Sequence, residues 1–541
     1  MNVAERTSHL MLVQRVVAIC ILAIAGLVVT APDARAEVTA FKQAIAEAAA
    51  RDTELAAFYR ANNYRGIWTS NSDDDRARRR ALLEAIEGAG HHGLPATKYR
   101  ANELLAMMRQ ARTPRDLGKI EVALSKTFLE LSGDLQTGIL VPSKIDSGIV
   151  RQVPYRSRVS YMTNFVKNNP RGFFRGLPPR SAEYSRLMKE KLRLEQLAAR
   201  GGWGPRVPAN ALKPGTQGAA VVALRNRLTA MGFLQRSASQ VYDARLAGAV
   251  QAFQVAHGLE ADGVAGASTI SEINKPVMAR LQSIMVAMER ERWNNKPRGQ
   301  RHVLVNLTDF SARLIDNDKV TFQTRAVVGK NVPDRRSPEF SDEIEYMEIN
   351  PTWNVPRSIT VKEYLPQMQR NPSAAGHLRL YNARGQQVSR ANVNFNAYNA
   401  RTFPFDLKQP PSNRNALGLV KFMFPNKYNI YLHDTPAKNL FSRNKRDFSH
   451  GCIRLHQPFE FAYALLSKQE SDPKRFFHSV LDTRQQTQVK LRKKVPVHII
   501  YRTAFTQAKG HTNYRKDVYG RDARIWNALE QAGVSLRAVQ G

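Results

Sequence analysis

Residues 433–455 read HDTPAKNLFSRNKRDFSHGCIRL, and the rest of the chain is best understood outward from them. Cys452 follows His450 and Gly451, and His433 stands upstream across a polar stretch. A single cysteine with a histidine elsewhere in the sequence is a candidate nucleophile and base. A free thiol of pKa ~8.5 is only a few per cent ionised at neutral pH and needs such a neighbour. Gly451 lets the backbone turn tightly, and such a turn points successive N–H groups at one spot, as an oxyanion hole requires. The imidazole needs a partner on its other nitrogen, which Asp434 or a backbone carbonyl would supply. Two further readings use the same residues. His433, Asp434, His450 and Cys452 could ligate zinc, although H-x-C is not a usual zinc spacing. Cys452 could also pack as a small hydrophobe, against which its polar neighbours Ser449, His450 and Arg454 count.

Toward the N-terminus, residues 16–29 (VVAICILAIAGLVV) form an apolar run after Arg6 and Arg15, and Ala34-Arg35-Ala36 offers a small-x-small cleavage site. That is the layout of a secretory signal peptide over residues 1–36. The run is shorter than the ~18–20 residues of a membrane span, so cleavage is expected, with an uncleaved anchor as the alternative. Cys20 lies in this run and would leave with it, so no intramolecular disulfide is expected. An unpaired thiol in an exported chain calls for a reason. The 541 residues include 81 Lys and Arg against 46 Asp and Glu, a formal net charge of +35. This balance points to an anionic environment or partner. Export and the scatter of basic residues favour an envelope polymer over nucleic acid, with simple solubilisation the plain alternative.

Chain length suggests about three domains at roughly 100–200 residues each. Residues 37–205 are rich in helix-forming Ala, Leu and Glu, as in the runs 37–59 and 76–89. The Gly- and Pro-rich segment 200–205 is a linker signal. In residues 208–276, Val221, Leu224, Leu228 and Met231 fall on one helix face, and Leu246, Val250 and Phe253 repeat the pattern. From residue 281 the texture changes. A short helix over 285–293 precedes strand signals at 302–306, 326–328 and 497–501, rich in β-branched residues. Residues 358–407 are polar and irregular with a helical start, an insertion of the kind that forms a lid. The fold class expected is therefore α+β, multidomain, ending in a C-terminal extension over 506–541.

Residues 212–270 closely resemble the small three-helix peptidoglycan-binding domain of bacterial wall enzymes, through LKPGTQG and the helical pattern that follows. SHGCIRL preceded by HDTP resembles the motif of the L,D-transpeptidases, the YkuD-type catalytic domain, which the resemblance places at residues 281–505. INPTWNVPRSI (349–359), QPPSNRNALG (409–418), FMFPNKYNIYLHDTP (422–436) and RKDVYGRD (515–522) are similar to the large YcbB-like branch. So are FYRANNYRGIW (58–68), HGLPATKY (92–99) and LPPRSAEY (177–184), which would make 37–205 a helical scaffold domain. One departure is Ser412, where a glycine is expected after the double proline.

By this resemblance Cys452 is the nucleophile and His433 the base that later protonates the leaving amine. Asp434 lends the triad its carbonyl, and His450, Gly451 and Cys452 supply oxyanion amides. Ser449, Arg454, Tyr431, Trp353 and Asn415 are candidate substrate-binding residues, Arg454 for a carboxylate. Core packing is an equal reading of Trp353 and Tyr431. The implied reaction is periplasmic 3→3 crosslinking of peptidoglycan through a thioester, with release of D-alanine and susceptibility to carbapenems. Carboxypeptidation, protein tethering to the wall and a silent wall-binding scaffold are the alternatives. No metal or organic cofactor is called for, since a thiolate and backbone dipoles cover the chemistry. The expected partners are stem peptides and glycan strands, together with other wall-synthesis proteins; nucleic acid is not expected, and a membrane only if the signal segment stays.

Overall fold

The computed structural model describes residues 39–536, and the expected signal peptide over 1–36, with Cys20, lies outside them. The chain divides into two units, one containing residues up to 79 together with 102–126, the other 80–101 together with 127 onward.

In the first unit the helix-forming run 37–59 is two helices, Ala40–Ala49 and Thr53–Ala61. The Asp52 side chain accepts from the Leu55 amide and starts the second, as an N-cap residue does. The segment after it is organised by one buried acid, Glu121. Its carboxylate accepts from the amides of Ile67 (2.7 Å), Trp68 (3.0 Å) and Thr69 (3.1 Å) and from the Tyr59 hydroxyl (3.0 Å). A buried charge is tolerable when so many donors meet it.

In the second unit, helix Ala182–Ala199 packs on helix Val277–Trp293 through Tyr184, Leu187, Leu281, Ile284 and Met288. Helices Ala219–Ala230, Ala244–His257 and Ala267–Ile273 enclose a small separate core. Val221, Leu224, Leu228, Leu246, Val250 and Phe253 are all fully buried there. Met231, expected on the same face, instead caps the first of these helices and is only partly buried.

The region from residue 301 onward is built on strands β1 (Arg301–Asn306), β2 (Ser311–Asp316), β3 (Lys319–Gly329), β4 (Phe340–Ile349), β5 (Trp353–Asn354), β6 (Arg379–Tyr381), β7 (Gln387–Val388), β8 (Asp406–Gln409), β9 (Val420–Met423), β10 (Leu432–His433), β11 (Asp447–Ser449), β12 (Ile453–Leu455) and β13 (Thr487–Ile500). Nine of them form one sheet in the order β11-β3-β12-β10-β9-β4-β13-β1-β2, and β2 also pairs with β3, so the strands close on themselves. Closure removes the exposed edges that an open sheet would carry. Val303, Val305, Ile344, Met347, Phe422, Leu432 and Ile453 fill the interior.

The insertion read as irregular has its own architecture. Helical turns from Arg357 to Arg370 lie against a four-stranded sheet, β5-β8-β6-β7. Leu365, Met368, Leu380, Phe395, Phe403 and Leu407 form its core. Strands of two to four residues are too short to show alternation in sequence. Beyond the sheet, β14 (Ala504–Phe505) pairs with β15 (Asn513–Tyr514), and helix Arg521–Gln531 packs on Val277–Trp293. Among the described residues no helix is long and apolar enough to cross a membrane.

Candidate active site

Side-chain alternation along β10 and β12 gathers the site. The two strands run parallel with Leu432 opposite Ile453 and His433 opposite Arg454. Leu432, Ile453 and Leu455 point into the core. Residues of the opposite parity, Tyr431, His433, Cys452 and Arg454, therefore share the other face, with Cys452 and His433 diagonal neighbours. All four line one cavity of about 650 Å³.

His433 is buried, and its Nδ1 bonds the backbone carbonyl of Asp434. A carbonyl only accepts, so Nδ1 carries the proton and Nε2 of the neutral ring is left as an acceptor. Burial and the Arg454 cation push the imidazole pKa down to about 3, although backbone bonds to Asp434 and Leu417 oppose them. The Asp434 carboxylate is engaged elsewhere, accepting from the Thr435 amide (2.7 Å), the Leu419 amide (2.9 Å) and Lys438 Nζ (2.6 Å).

Cys452 is half-buried and donates its thiol to the Asn429 carbonyl at 3.4 Å. Burial raises its pKa above the ordinary cysteine range, while bonds with Tyr431 and the cations Lys421 and Arg454 partly offset this. Thiol and imidazole are thus both neutral at rest, rather than an ion pair. The turn before the thiol is shaped by Ser449, whose Oγ donates to the Cys452 carbonyl (2.5 Å) and accepts from the Gly451 amide (3.2 Å). Gly451 has φ +116°, a region that disfavours a side chain. The amides of His450 and Cys452 meet no acceptor among the described residues. They are the donors left for an oxyanion, whereas the Gly451 amide is already engaged.

The inserted subdomain supplies the opposite wall through Trp353, Tyr364 and Glu363. Glu363 Oε1 lies 2.6 Å from both His450 Nε2 and Arg335 Nη2, and Lys362 pairs with Asp334 at 2.8 Å. Arg454 forms no ion pair among the described residues, and its Nε is buried without a hydrogen-bond partner. Such a guanidinium is suited to a carboxylate from outside.

The family described as "L,D-transpeptidase catalytic domain" matches residues 300–524. This chain carries an L,D-transpeptidase catalytic domain. Ahead of the transpeptidase domain, a "Scaffold domain" matches residues 53–190 and a "Putative peptidoglycan binding domain" residues 217–273. A Haemophilus influenzae protein named "Putative L,D-transpeptidase" is 28% identical over 242 residues, 44% of this chain and 48% of its own length. The match therefore spans about half of that relative. Among solved structures, an L,D-transpeptidase from Xylanimonas cellulosilytica (15% identical, TM-score 0.17) covers 55% of this chain and 98% of its own. One from Stackebrandtia nassauensis (14% identical, TM-score 0.21) covers 55% and 97%.

Two of the expected substrate-binding residues have their polar groups engaged within the protein. Asn415 is fully buried away from the cavity, donating to the carbonyls of Pro351, Gln409 and Pro410 and accepting from the Leu417 amide. It knots the chain where it leaves the insertion and has no group left for substrate. Ser449 borders the cavity, but its hydroxyl is spent on the turn. As for the zinc reading, His433, Asp434, His450 and Cys452 do not form a group placed to hold a metal ion among the described residues. Ser412 keeps an ordinary φ, so its turn does not demand the expected glycine. Sequence reasoning missed Glu363, Arg335 and Lys421. Alternation along β9, with Phe422 buried, would have placed Lys421 on the site face. Nothing local distinguishes Glu363 or Arg335.

Proposed function

We propose that this chain is an exported, periplasmic enzyme of the large YcbB-like branch that forms 3→3 crosslinks in peptidoglycan through a Cys452 thioester. The observation that carries the reading is one cavity onto which the Cys452 thiol, the carbonyl-oriented His433 and the unpaired Arg454 all open. A peptidoglycan-binding domain in the same chain favours the wall polymer as substrate.

In the first half-reaction, a donor tetrapeptide places the carbonyl of its third residue at Cys452 with a carboxylate on Arg454. His433 Nε2 takes the thiol proton as sulfur attacks, and the His450 and Cys452 amides hold the oxyanion. The tetrahedral intermediate collapses as the C–N bond breaks, and His433 returns the proton to the departing D-alanine amine. In the second, the side-chain amine of an acceptor stem attacks the thioester. A C–N bond forms, the C–S electron pair returns to sulfur, and the amine proton reaches it through His433.

The test is mass spectrometry of the purified protein with a diaminopimelate-containing disaccharide-tetrapeptide, beside Cys452→Ala. A dimer lighter by one D-alanine, absent with the variant, is expected. Tripeptide without dimer would make the enzyme a carboxypeptidase. No turnover alongside retained sacculus binding would make it a scaffold.

A further inference from the structure

A second cavity of about 510 Å³ begins behind the loop that touches the nucleophile. Asn429 gives its carbonyl to the Cys452 thiol. Tyr428, one residue earlier, lines both cavities, and Asn426 and Lys427 line only the second. The loop is a built partition. The Asn426 amide group donates to the carbonyls of Phe424 (2.6 Å) and Ile430 (2.8 Å), while its Oδ1 accepts from the amides of Tyr428 (3.0 Å) and Ile430 (3.3 Å). The Tyr428 ring packs on Phe340 with centroids 5.1 Å apart. Successive Cα atoms are ~3.8 Å apart, so Lys427 lies within about two residues of chain from the loop position that meets the sulfur.

The lining is cationic. Lys296 and Lys427 are exposed and form no ion pair among the described residues. Arg151 contributes a third cation, itself 3.6 Å from Glu339. Asp342 is the one carboxylate in the lining, and its Oδ1 accepts from the Glu343 amide. Two ammonium groups without a carboxylate partner, that of Lys427 lying 5.4 Å from the Tyr428 ring centroid, suit a peptide that arrives second and carries carboxylates.

We infer that this cavity is the acceptor subsite, in which Lys296 and Lys427 hold the free carboxylates of the acceptor stem peptide while its amine reaches past Tyr428 to the thioester. This rests on the crosslinking reaction proposed above and names where its second substrate sits. The donor needs neither lysine, so the two half-reactions separate.

The experiment uses the whole chain and its Lys296→Ala/Lys427→Ala variant, both lysines being exposed side chains. D-alanine release from a donor tetrapeptide whose side-chain amine is acetylated, so that it cannot serve as acceptor, is measured beside dimer formation over a range of acceptor concentrations. A second acceptor has its carboxylates amidated. The expected result is D-alanine release unchanged within about twofold, with acceptor KM raised about tenfold, a loss of ~1.4 kcal/mol. Amidated acceptor should be poor with the unaltered chain and no worse with the variant. An unchanged acceptor KM would overturn the inference, as would release and dimer formation falling together, which would place the lysines on the donor. If the unaltered chain released D-alanine but made no dimer, the crosslinking reading would fail first and the acceptor site with it.

Discussion

Cys452 and His433 are diagonal neighbours held neutral by the same burial, with Arg454, directly opposite His433, adding to the cost of an imidazolium. The thiolate is then made by substrate arrival rather than stored. A stored thiolate–imidazolium pair would react with alkylating agents at nearly constant rate down to mildly acidic pH. Here the thiol pKa lies above the ordinary range, so the iodoacetamide rate at Cys452 should be slow at pH 7 and keep rising through pH 9. A rate that levelled off below pH 7 would contradict the neutral pair. The residue types were legible in SHGC and the distant histidine, because a lone thiol with a base is a recognisable chemistry. The neutral resting state was not, since it depends on desolvation and on the Arg454 cation across two strands.

The inserted element shows how an unpatterned segment still becomes structure. Residues 358–407 carry apolar side chains without a sustained period, yet tertiary contact brings Leu365, Met368, Phe395 and Phe403 into one core. Asn415 closes that element, its fully buried side chain satisfying three carbonyls and one amide. Asn415→Ala should therefore cost about 2–4 kcal/mol of stability, several polar groups being left without partners at ~1–3 kcal/mol each. Denaturant titration measures this, and Cys452 in the folded variant should alkylate at the original rate. Full stability with lost turnover would instead return Asn415 to the substrate site. Its motif was visible in sequence, but whether an amide serves ligand or backbone depends on what surrounds it.

Among the described residues, four histidines are pushed down furthest. Burial pushes His92 and His498 down to about 4, and His257 and His433 to about 3. In the unfolded chain each titrates near ~6.5. Between those values the unfolded state binds more protons, so stability falls as pH drops from about 6.5 toward 3. Denaturation midpoints at pH 7 should exceed those at pH 4, and a flat or rising profile toward acid would refute the assignment. Sequence alone determined the sequential domains and the basic balance and singled out Cys452 as the candidate nucleophile, because composition, period and a rare residue are local properties. It could not determine that Glu363 of the insertion meets His450, or that a loop partitions two cavities. Only the tertiary structure decided which lone pairs and charges remain unpaired at the site, because pairing and desolvation are set by neighbours distant in the chain.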